Sequence, residues 1–253
     1  MDASWDTPHI LDCDDWYKSA DVNECTFGDQ NAPRSAVLLG DSIGTQWFPA
    51  LEKRFTQPGW RLSVLTKSAC PMVDKPAFFY ARIGRDYTEC VLWRENVIKL
   101  LQARHTDTII LGSSLEYPFT PEEWTEGTQK ILKALSPHAK NIVLIRSTPV
   151  LPFNGLYCLT GNKPLVRLLA GDDRCRAPSA DARNDAVYAA LQAAVAPFGN
   201  ARTLDMNDAI CPGGMCHAQQ DGYVTFRDRN HLTASFVKHL GEQFGQRLQA
   251  GGQ

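Results

Sequence analysis

Five short apolar runs, separated by longer amphipathic stretches, limit the fold of this 253-residue chain more than any other feature. Each run is rich in β-branched or aliphatic residues and is bounded by turn residues. Such runs are typical of strands that are buried on both faces, and their alternation with helices predicts a parallel sheet. We therefore expect an α/β fold with a five-stranded parallel sheet. The predicted strands are residues 35–39, 61–66, 108–111, 141–145 and 201–204.

Helices are predicted in the stretches between and after these strands. Directly after the first strand, apolar residues recur every four positions and place one stripe on a helix. They are Ile43, Trp47, Leu51 and Phe55. At Thr120, a hydroxyl is followed by a proline and two acids, a pattern that favours a capped helix start over an acid/base pair. Residues 183–196 and 234–248 are the remaining predicted helices.

The overall composition is that of a globular protein with no bias towards a polyanionic partner. Hydrophobic residues make up 43% of the chain and charged residues 21%, and the formal net charge is -2. This length is compatible with one large α/β domain. Because nucleic-acid-binding domains usually carry a basic patch, we do not expect a nucleic acid as partner.

The eight cysteines indicate an oxidising compartment, since their even number suits a set of disulfides. The first residues, however, have neither the basic nor the apolar region of a signal peptide, and no apolar run is long enough to cross a bilayer. We interpret the chain as a mature or excised fragment that lacks its signal or membrane anchor.

Adjacent cysteines flank segments rich in loop-forming residues, which favours sequential pairing. The expected pairs are Cys13 with Cys25, Cys70 with Cys90, Cys158 with Cys175, and Cys211 with Cys216. An alternative is a metal site that uses Cys211, Cys216 and His217, but a structural zinc needs four ligands and no second close pair supplies the rest.

Residues 1–33 differ from the rest of the chain, because they contain many acids and no periodic apolar pattern. We expect an irregular N-terminal extension that a Cys13–Cys25 bridge ties down. The domain itself is expected to span residues 34–253.

The first candidate catalytic motif, Gly40-Asp41-Ser42, follows the first predicted strand and precedes a helix. Open α/β sheets place their active sites at this carboxyl edge. Backbone N–H groups at the start of a helix also suit an anionic intermediate. The alternative is an ordinary turn in which Asp41 or Ser42 caps the helix.

The second motif, Asp228-x-x-His231, precedes the last predicted helix. A carboxylate beside one imidazole nitrogen fixes the tautomer, while the other nitrogen takes a proton from a serine. Alone, this pair is compatible with an ordinary surface loop. Together with Ser42, it favours a hydrolytic or acyl-transfer site.

With these two motifs, the chain resembles the SGNH hydrolase superfamily, and most closely the periplasmic SGNH domain fused to acyltransferase-3 membrane proteins. The resemblance extends from about Ser35 to the end, and the preceding segment is similar to the extension that joins such domains to the membrane part. The segments that carry it are residues 40–51 (GDSIGTQWFPAL), 67–71 (KSACP) and 228–233 (DRNHLT).

The resemblance implies a flavodoxin-like, three-layer αβα fold and a catalytic triad. Ser42 would be the nucleophile, His231 the base and Asp228 the residue that orients it. The membrane part would supply acetyl groups, and this domain would place them on a bacterial envelope polysaccharide in the periplasm, where the full-length protein would be membrane-tethered. No metal or other cofactor is expected, because a serine triad needs none.

Two segments depart from the superfamily pattern. Members usually provide a glycine N–H after the second strand and a Gly-x-Asn-Asp segment after the third to complete the oxyanion hole. Here Ser68 lies in the first segment, and Ser114 stands where the asparagine would be. We expect the oxyanion donors to be Ser42, Ser68 and Ser114.

Three functions are compatible with these residues. An O-acetyltransferase would pass the acyl group from Ser42 to a sugar hydroxyl, and a carbohydrate O-acetylesterase would pass it to water by the same triad. A glycan-binding module without catalysis is the third hypothesis, because a fold does not guarantee activity.

Overall fold

Six strands form the central sheet of the protein, whose computed structural model describes residues 6–8, 13–161 and 174–250. The strands in chain order are β1 (Cys25–Gly28), β2 (Arg34–Gly40), β3 (Trp60–Thr66), β4 (Phe79–Tyr80), β5 (Arg85–Asp86), β6 (Thr106–Gly112), β7 (Ala139–Ile145), β8 (Arg176–Pro178), β9 (Ala201–Leu204), β10 (Met215–His217), β11 (Gln219–Gln220) and β12 (Tyr223–Val224). The helices are α1 (Ser42–Thr45), α2 (Phe48–Phe55), α3 (Thr88–Gln102), α4 (Pro121–Leu135), α5 (Gly155–Thr160), α6 (Ala182–Val195), α7 (Asn207–Ile210), α8 (Ala234–His239) and α9 (Gly241–Ala250).

The parallel part of the sheet has the order β3-β2-β6-β7-β9, which is the flavodoxin-like order 2-1-3-4-5. These are the five strands expected from the sequence, with starts that differ by up to two residues. The three-layer α/β fold is therefore confirmed.

A sixth strand corrects the expected strand count. β1 pairs antiparallel with the edge strand β3, from Cys25 opposite Val64 to Gly28 opposite Arg61. β1 belongs to the segment that was expected to be irregular. At four residues, of which none is fully buried, β1 is too short to show a long apolar run, so its sequence carries little hydrophobic signal.

Helices cover both faces of the sheet. Alternate strand residues point to opposite faces, so Leu38 packs in one core with α2, α8 and α9, while Leu39 packs in the other with α3, α4 and α6. Both leucines are fully buried. Burial on both sides explains why the strands appear as continuous apolar runs in the sequence.

Two predicted helices are each divided in the structure. The apolar stripe after β2 spans α1 and α2, with a turn at Gln46 and Trp47, and all four of its residues are buried. The last predicted helix is broken at Leu240 into α8 and α9. Helix α6 agrees with its prediction within one residue, whereas α3 was not predicted.

The start of α4 is a capping box. Thr120 Oγ1 accepts the N–H of Glu123 at 3.2 Å, and Glu123 Oε2 accepts the N–H of Thr120 at 2.9 Å. Glu123 also pairs with Lys75. These contacts account for Glu123, the second of the two acids after Pro121, without a role in chemistry.

Four disulfides are present, and they join the sequential pairs. They are Cys13–Cys25, Cys70–Cys90, Cys158–Cys175 and Cys211–Cys216. Because Cys211 and Cys216 are bonded to each other, neither provides the thiolate that a zinc site with His217 would need. Within the described ranges, no helix is long and apolar enough to span a membrane.

Candidate active site

The candidate site lies at the carboxyl edge of the parallel sheet, where three glycines let the backbone segments approach closely. Asp41 N–H donates to Gly112 O at 3.2 Å, which joins the end of β2 to the end of β6. A Cβ atom on Gly40 would lie 1.9 Å from Gly112 O, and one on Gly44 would lie 2.7 Å from the same atom. Only glycine backbones allow α1, with Ser42 at its first position, to sit this close to β6.

The structure brings Ser42 together with Asp228 and His231, although Ser42 and His231 are 189 positions apart in the sequence. Ser42 Oγ lies 2.8 Å from His231 Nε2, and His231 Nδ1 lies 2.8 Å from Asp228 Oδ2. The imidazole is 19% exposed, so solvent reaches only part of it. A hydroxyl, an imidazole and a carboxylate linked in this order can move a proton from the hydroxyl to the imidazole.

The environment of Asp228 keeps its carboxylate ionised. Burial raises the pKa of this carboxyl, but the hydrogen bond and charge of His231, with the N–H groups of His231 and Asn230, outweigh burial and hold the pKa at about 2. Those N–H groups donate to Asp228 Oδ1 at 2.7 and 3.0 Å. An ionised carboxylate at this place favours the tautomer with the proton on His231 Nδ1.

Hydrogen bonds within the loop that carries His231 join its two ends, and a further bond joins the loop to the turn after α1. An antiparallel bridge joins Phe226 to Leu232, and Arg227 N–H donates to His231 O at 3.0 Å. Gln46, which is 2% exposed, accepts the N–H of Leu232 on its Oε1 at 2.9 Å. This contact connects the residue after His231 to the turn that follows α1.

Asp41 connects the first and third segments of the site. Its side chain is fully buried and accepts hydrogen bonds from the N–H of Ile43 and the N–H of Ser114, each at 2.8 Å, and from Tyr117 Oη at 2.7 Å. Burial raises the pKa of Asp41, and the three donors oppose that rise. Asp41 caps α1, as the alternative interpretation of the motif expected, and it also fixes the start of the loop after β6.

The expected oxyanion residues differ in which of their donors are free. Ser114 N–H donates to Asp41, and Ser114 Oγ accepts the N–H of Glu116 at 3.2 Å, which leaves its hydroxyl hydrogen available. Ser68 donates its backbone N–H and its hydroxyl to Asp14 Oδ2, at 2.6 and 2.7 Å. Both donors of Ser68 are therefore engaged in this conformation.

Three contributors to the site were not found from the sequence. Gln46, Tyr117 and Asp14 act through contacts with residues 186, 76 and 54 positions away. The sequence signal for each is a single polar or aromatic residue, which carries no spacing pattern. Among the described residues, no group of three His, Cys, Asp or Glu side chains is placed to hold a metal ion.

A family model described as an SGNH domain fused to AT3 domains matches residues 12–246 of the chain. A comparison with curated protein sequences finds no match. The matched range includes most of the extension as well as the whole of the central sheet.

Similar folds are found among solved structures. The periplasmic domain of a lipopolysaccharide acetyltransferase from Salmonella ser. Paratyphi A is similar with a TM-score of 0.68 and 15% identity, over 87% of this chain and 85% of that one. LAE5, an α/β hydrolase from the metagenome of Lake Arreo, Spain, has a TM-score of 0.44 and 13% identity, over 85% of this chain and 96% of that one. Axe2, an acetylxylan esterase from Geobacillus stearothermophilus, has a TM-score of 0.41 and 12% identity, over 85% of this chain and 94% of that one.

Proposed function

Because the chain belongs to the family of SGNH domains fused to AT3 domains, we propose that it is an O-acetyltransferase domain that acts through an acyl-enzyme on Ser42. The observation that carries this proposal is the hydrogen-bonded series from Ser42 Oγ through His231 to Asp228, with both distances at 2.8 Å. A hydroxyl is a weak nucleophile until a neighbouring base removes its proton, and this geometry provides the base.

In the first half-reaction, Ser42 Oγ attacks the carbonyl carbon of an acetyl donor while His231 Nε2 takes the hydroxyl proton. Asp228 stabilises the resulting imidazolium and stays ionised. When the tetrahedral intermediate collapses, the bond to the leaving group breaks, and His231 returns the proton to that group. Ser42 is then an acetyl ester.

In the second half-reaction, His231 removes the proton from an acceptor hydroxyl, whose oxygen attacks the acetyl ester. Collapse of the second intermediate releases Ser42 Oγ, which regains the proton from His231. The acetyl group is transferred with no net change in proton count. The acceptor that we propose is a sugar hydroxyl of an envelope polysaccharide.

The negative oxygen of each intermediate needs hydrogen-bond donors. We assign this role to the backbone N–H of Ser42 and the hydroxyl of Ser114, whose hydrogen is available. Ser68 was the third expected donor, and it would take part only if Asp14 released it. One missing donor in such a site costs about 10²- to 10³-fold in rate.

The proposed location is the periplasm, with acetyl groups supplied by the AT3 part of a fusion protein. Four disulfides fit a periplasmic protein, because such bonds persist in oxidising compartments. The similar fold of a lipopolysaccharide acetyltransferase periplasmic domain supports an acetyl transfer outside the cytoplasm. A tether to the membrane through the fusion would keep the domain near its donor.

The test uses p-nitrophenyl acetate as donor and intact-protein mass spectrometry as readout. We expect one acetyl adduct on the wild-type protein, located on Ser42, and none on Ser42→Ala. His231→Ala should acetylate at least about 10³-fold more slowly, because the base is lost. Ser179→Ala is the matched control, since Ser179 is bonded through its backbone to Gly214 and lies outside the series. An adduct that persists in Ser42→Ala contradicts the proposal.

A second experiment separates transfer from hydrolysis, because water can serve as acceptor with the same triad. The acetylated protein is mixed with oligosaccharides from bacterial envelope polysaccharides, and the products are analysed by mass spectrometry. Acetylated saccharide supports the transferase. If water is always the acceptor, the domain is an esterase, and if wild-type protein binds saccharide without any acetyl turnover, it is a binding module.

A further inference from the structure

Two aspartates of the N-terminal extension, Asp14 and Asp15, contact the loop that follows β3 and are called the acidic pair here. Asp14 Oδ2 accepts both the backbone N–H and the hydroxyl of Ser68, at 2.6 and 2.7 Å. Asp15 Oδ1 accepts a hydrogen bond from Lys67 Nζ at 2.9 Å. Consecutive residues of the extension therefore bind consecutive residues of the loop.

The ion pair between Lys67 and Asp15 holds a buried ammonium group. The side chain of Lys67 is 1% exposed and that of Asp15 is 24% exposed. A buried ammonium is costly unless an opposite charge or several acceptors compensate it. The loop can keep Lys67 in this position only while Asp15 stays beside it.

This loop, residues 67–70, is bonded to the strand that leads to Ser42. Lys67 N–H donates to Gly40 O at 2.9 Å, two positions before Ser42. On its other side, Tyr87 Oη donates to Ser68 O at 3.1 Å, and the Cys70–Cys90 disulfide joins the loop to α3. A change in the conformation of the loop would therefore alter the position of the start of α1.

The loop has a backbone conformation that needs support. Ala69 has a φ of 58°, in the left-handed region that residues other than glycine seldom occupy. Such a conformation persists only where surrounding contacts hold it. The two hydrogen bonds from Ser68 to Asp14 directly precede Ala69 and are such contacts.

The acidic pair is itself held in place. Cys13, the residue before Asp14, forms a disulfide with Cys25, and Cys25 lies in β1 opposite Val64 of β3. Val64 lies in β3, three positions before Lys67, which directly follows that strand. The disulfide thus ties the acidic pair, which precedes β1 in the chain, to β1 beside the end of β3.

We propose that Asp14 is a positioning residue for acyl transfer, a claim that rests on the proposed function. By accepting both donors of Ser68, Asp14 holds the loop after β3 in the conformation that the acetylation of Ser42 requires. The segment expected to join this domain to its membrane part would then be a working part of the active site.

The hydrogen bonds, and not the negative charge, carry this role. A negative charge close to a developing oxyanion would oppose catalysis, whereas an acceptor oxygen that fixes Ser68 supports the loop. Asparagine retains one acceptor oxygen for Ser68 and removes the charge, while its amide NH2 group replaces the oxygen that accepts the N–H of Trp16 at 2.7 Å. Asp14→Asn should therefore keep the function that Asp14→Ala loses.

The test measures the turnover of p-nitrophenyl acetate by the complete chain and by single variants. We expect Asp14→Ala to lower kcat by about 10- to 100-fold with little change in KM, because misplaced groups slow the chemical step more than they weaken binding of a small ester. Asp14→Asn should retain most of the wild-type kcat. Asp21→Ala is the matched control, because Asp21 is an exposed aspartate of the same extension that bonds to Ser19 through its backbone. Thermal unfolding of each variant verifies that it is folded.

Each other result overturns the inference. A kcat for Asp14→Ala equal to that of Asp21→Ala means that the loop does not need Asp14, and a higher kcat means that Asp14 blocks Ser68. A loss in Asp14→Asn as large as in Asp14→Ala means that the hydrogen bonds to Ser68 do not account for the role of Asp14. Absence of acetylation in the wild-type protein contradicts the proposed function instead, so the two failures are distinguishable.

Discussion

At the scale of single residues, the carboxyl of Asp228 should make stability depend on pH. Burial raises its pKa, but the contacts with His231 and two N–H groups lower it to about 2, from 3.8. Because the folded-state pKa is lower than the unfolded one, the contribution is present above pH 4 and is lost as pH falls towards 2. The side chain is 36% exposed, and solvent screening reduces the contribution to roughly 1 kcal/mol.

The measurement compares urea unfolding of the wild-type protein and Asp228→Asn at pH 5, 4, 3 and 2.5. We expect the free energies of unfolding to differ most at pH 5 and to converge at the lowest pH. If the difference stays constant over this range, the ionised carboxylate of Asp228 does not stabilise the fold.

At the scale of elements, the contact of α1 with β6 should make Gly44 intolerant of a side chain. Helix propensity alone predicts that Gly44→Ala stabilises the protein by up to about 1 kcal/mol. The added Cβ would, however, lie 2.7 Å from the backbone oxygen of Gly112, which cannot move without disturbing the sheet. We expect a net destabilisation of about 1–3 kcal/mol from this overpacking, and slower acetylation because Ser42 begins α1.

Gly241→Ala is the control for this substitution. Gly241 begins α9, and its added Cβ would lie 3.7 Å from the Cα of Ala50, which is ordinary van der Waals contact. Denaturant unfolding should show a lower midpoint for Gly44→Ala only. Equal midpoints for the two variants would mean that α1 can shift away from β6 without cost.

At the scale of the whole molecule, the Cys13–Cys25 disulfide should decide whether the extension stays on the domain. It closes a loop with a sequence separation of 12 residues. Loss of such a bond in Cys13→Ser/Cys25→Ser should cost about 3 kcal/mol in the chain-entropy model, which lowers Tm by about 6 to 12 °C for a protein of this size. The exposed Lys18 should also become a faster site for trypsin.

The control is Cys211→Ser/Cys216→Ser, which opens a loop with a sequence separation of five residues in a part of the chain outside the extension. This variant should also lose stability, by about 2 kcal/mol, but its Lys18 should be cleaved at the wild-type rate under conditions where the fold is intact. Similar cleavage of Lys18 in both variants would show that the non-covalent contacts of the extension, such as β1, the acidic pair and the Glu24–Arg104 ion pair, hold it without this disulfide.

The sequence by itself determined the parallel part of the sheet, the cap at Thr120 and the positions of Ser42, Asp228 and His231 relative to the elements. These features depend on local patterns, because burial of a strand on both faces produces an apolar run, and a capping box needs residues only three positions apart. Proximity along the chain was also enough for the disulfide pairs, which are separated by 5 to 20 residues.

Only the tertiary structure decided which distant residues complete these local patterns. β1 pairs with β3 although its four residues form no continuous apolar run, Gln46 bonds to Leu232 across 186 positions, and Asp14 binds Ser68 across 54 positions. Each of these contacts joins one polar or edge residue to a backbone group, and a backbone group has no sequence signature. Their existence depends on where the chain returns in space, which is set by the packing of the whole sheet and its helices.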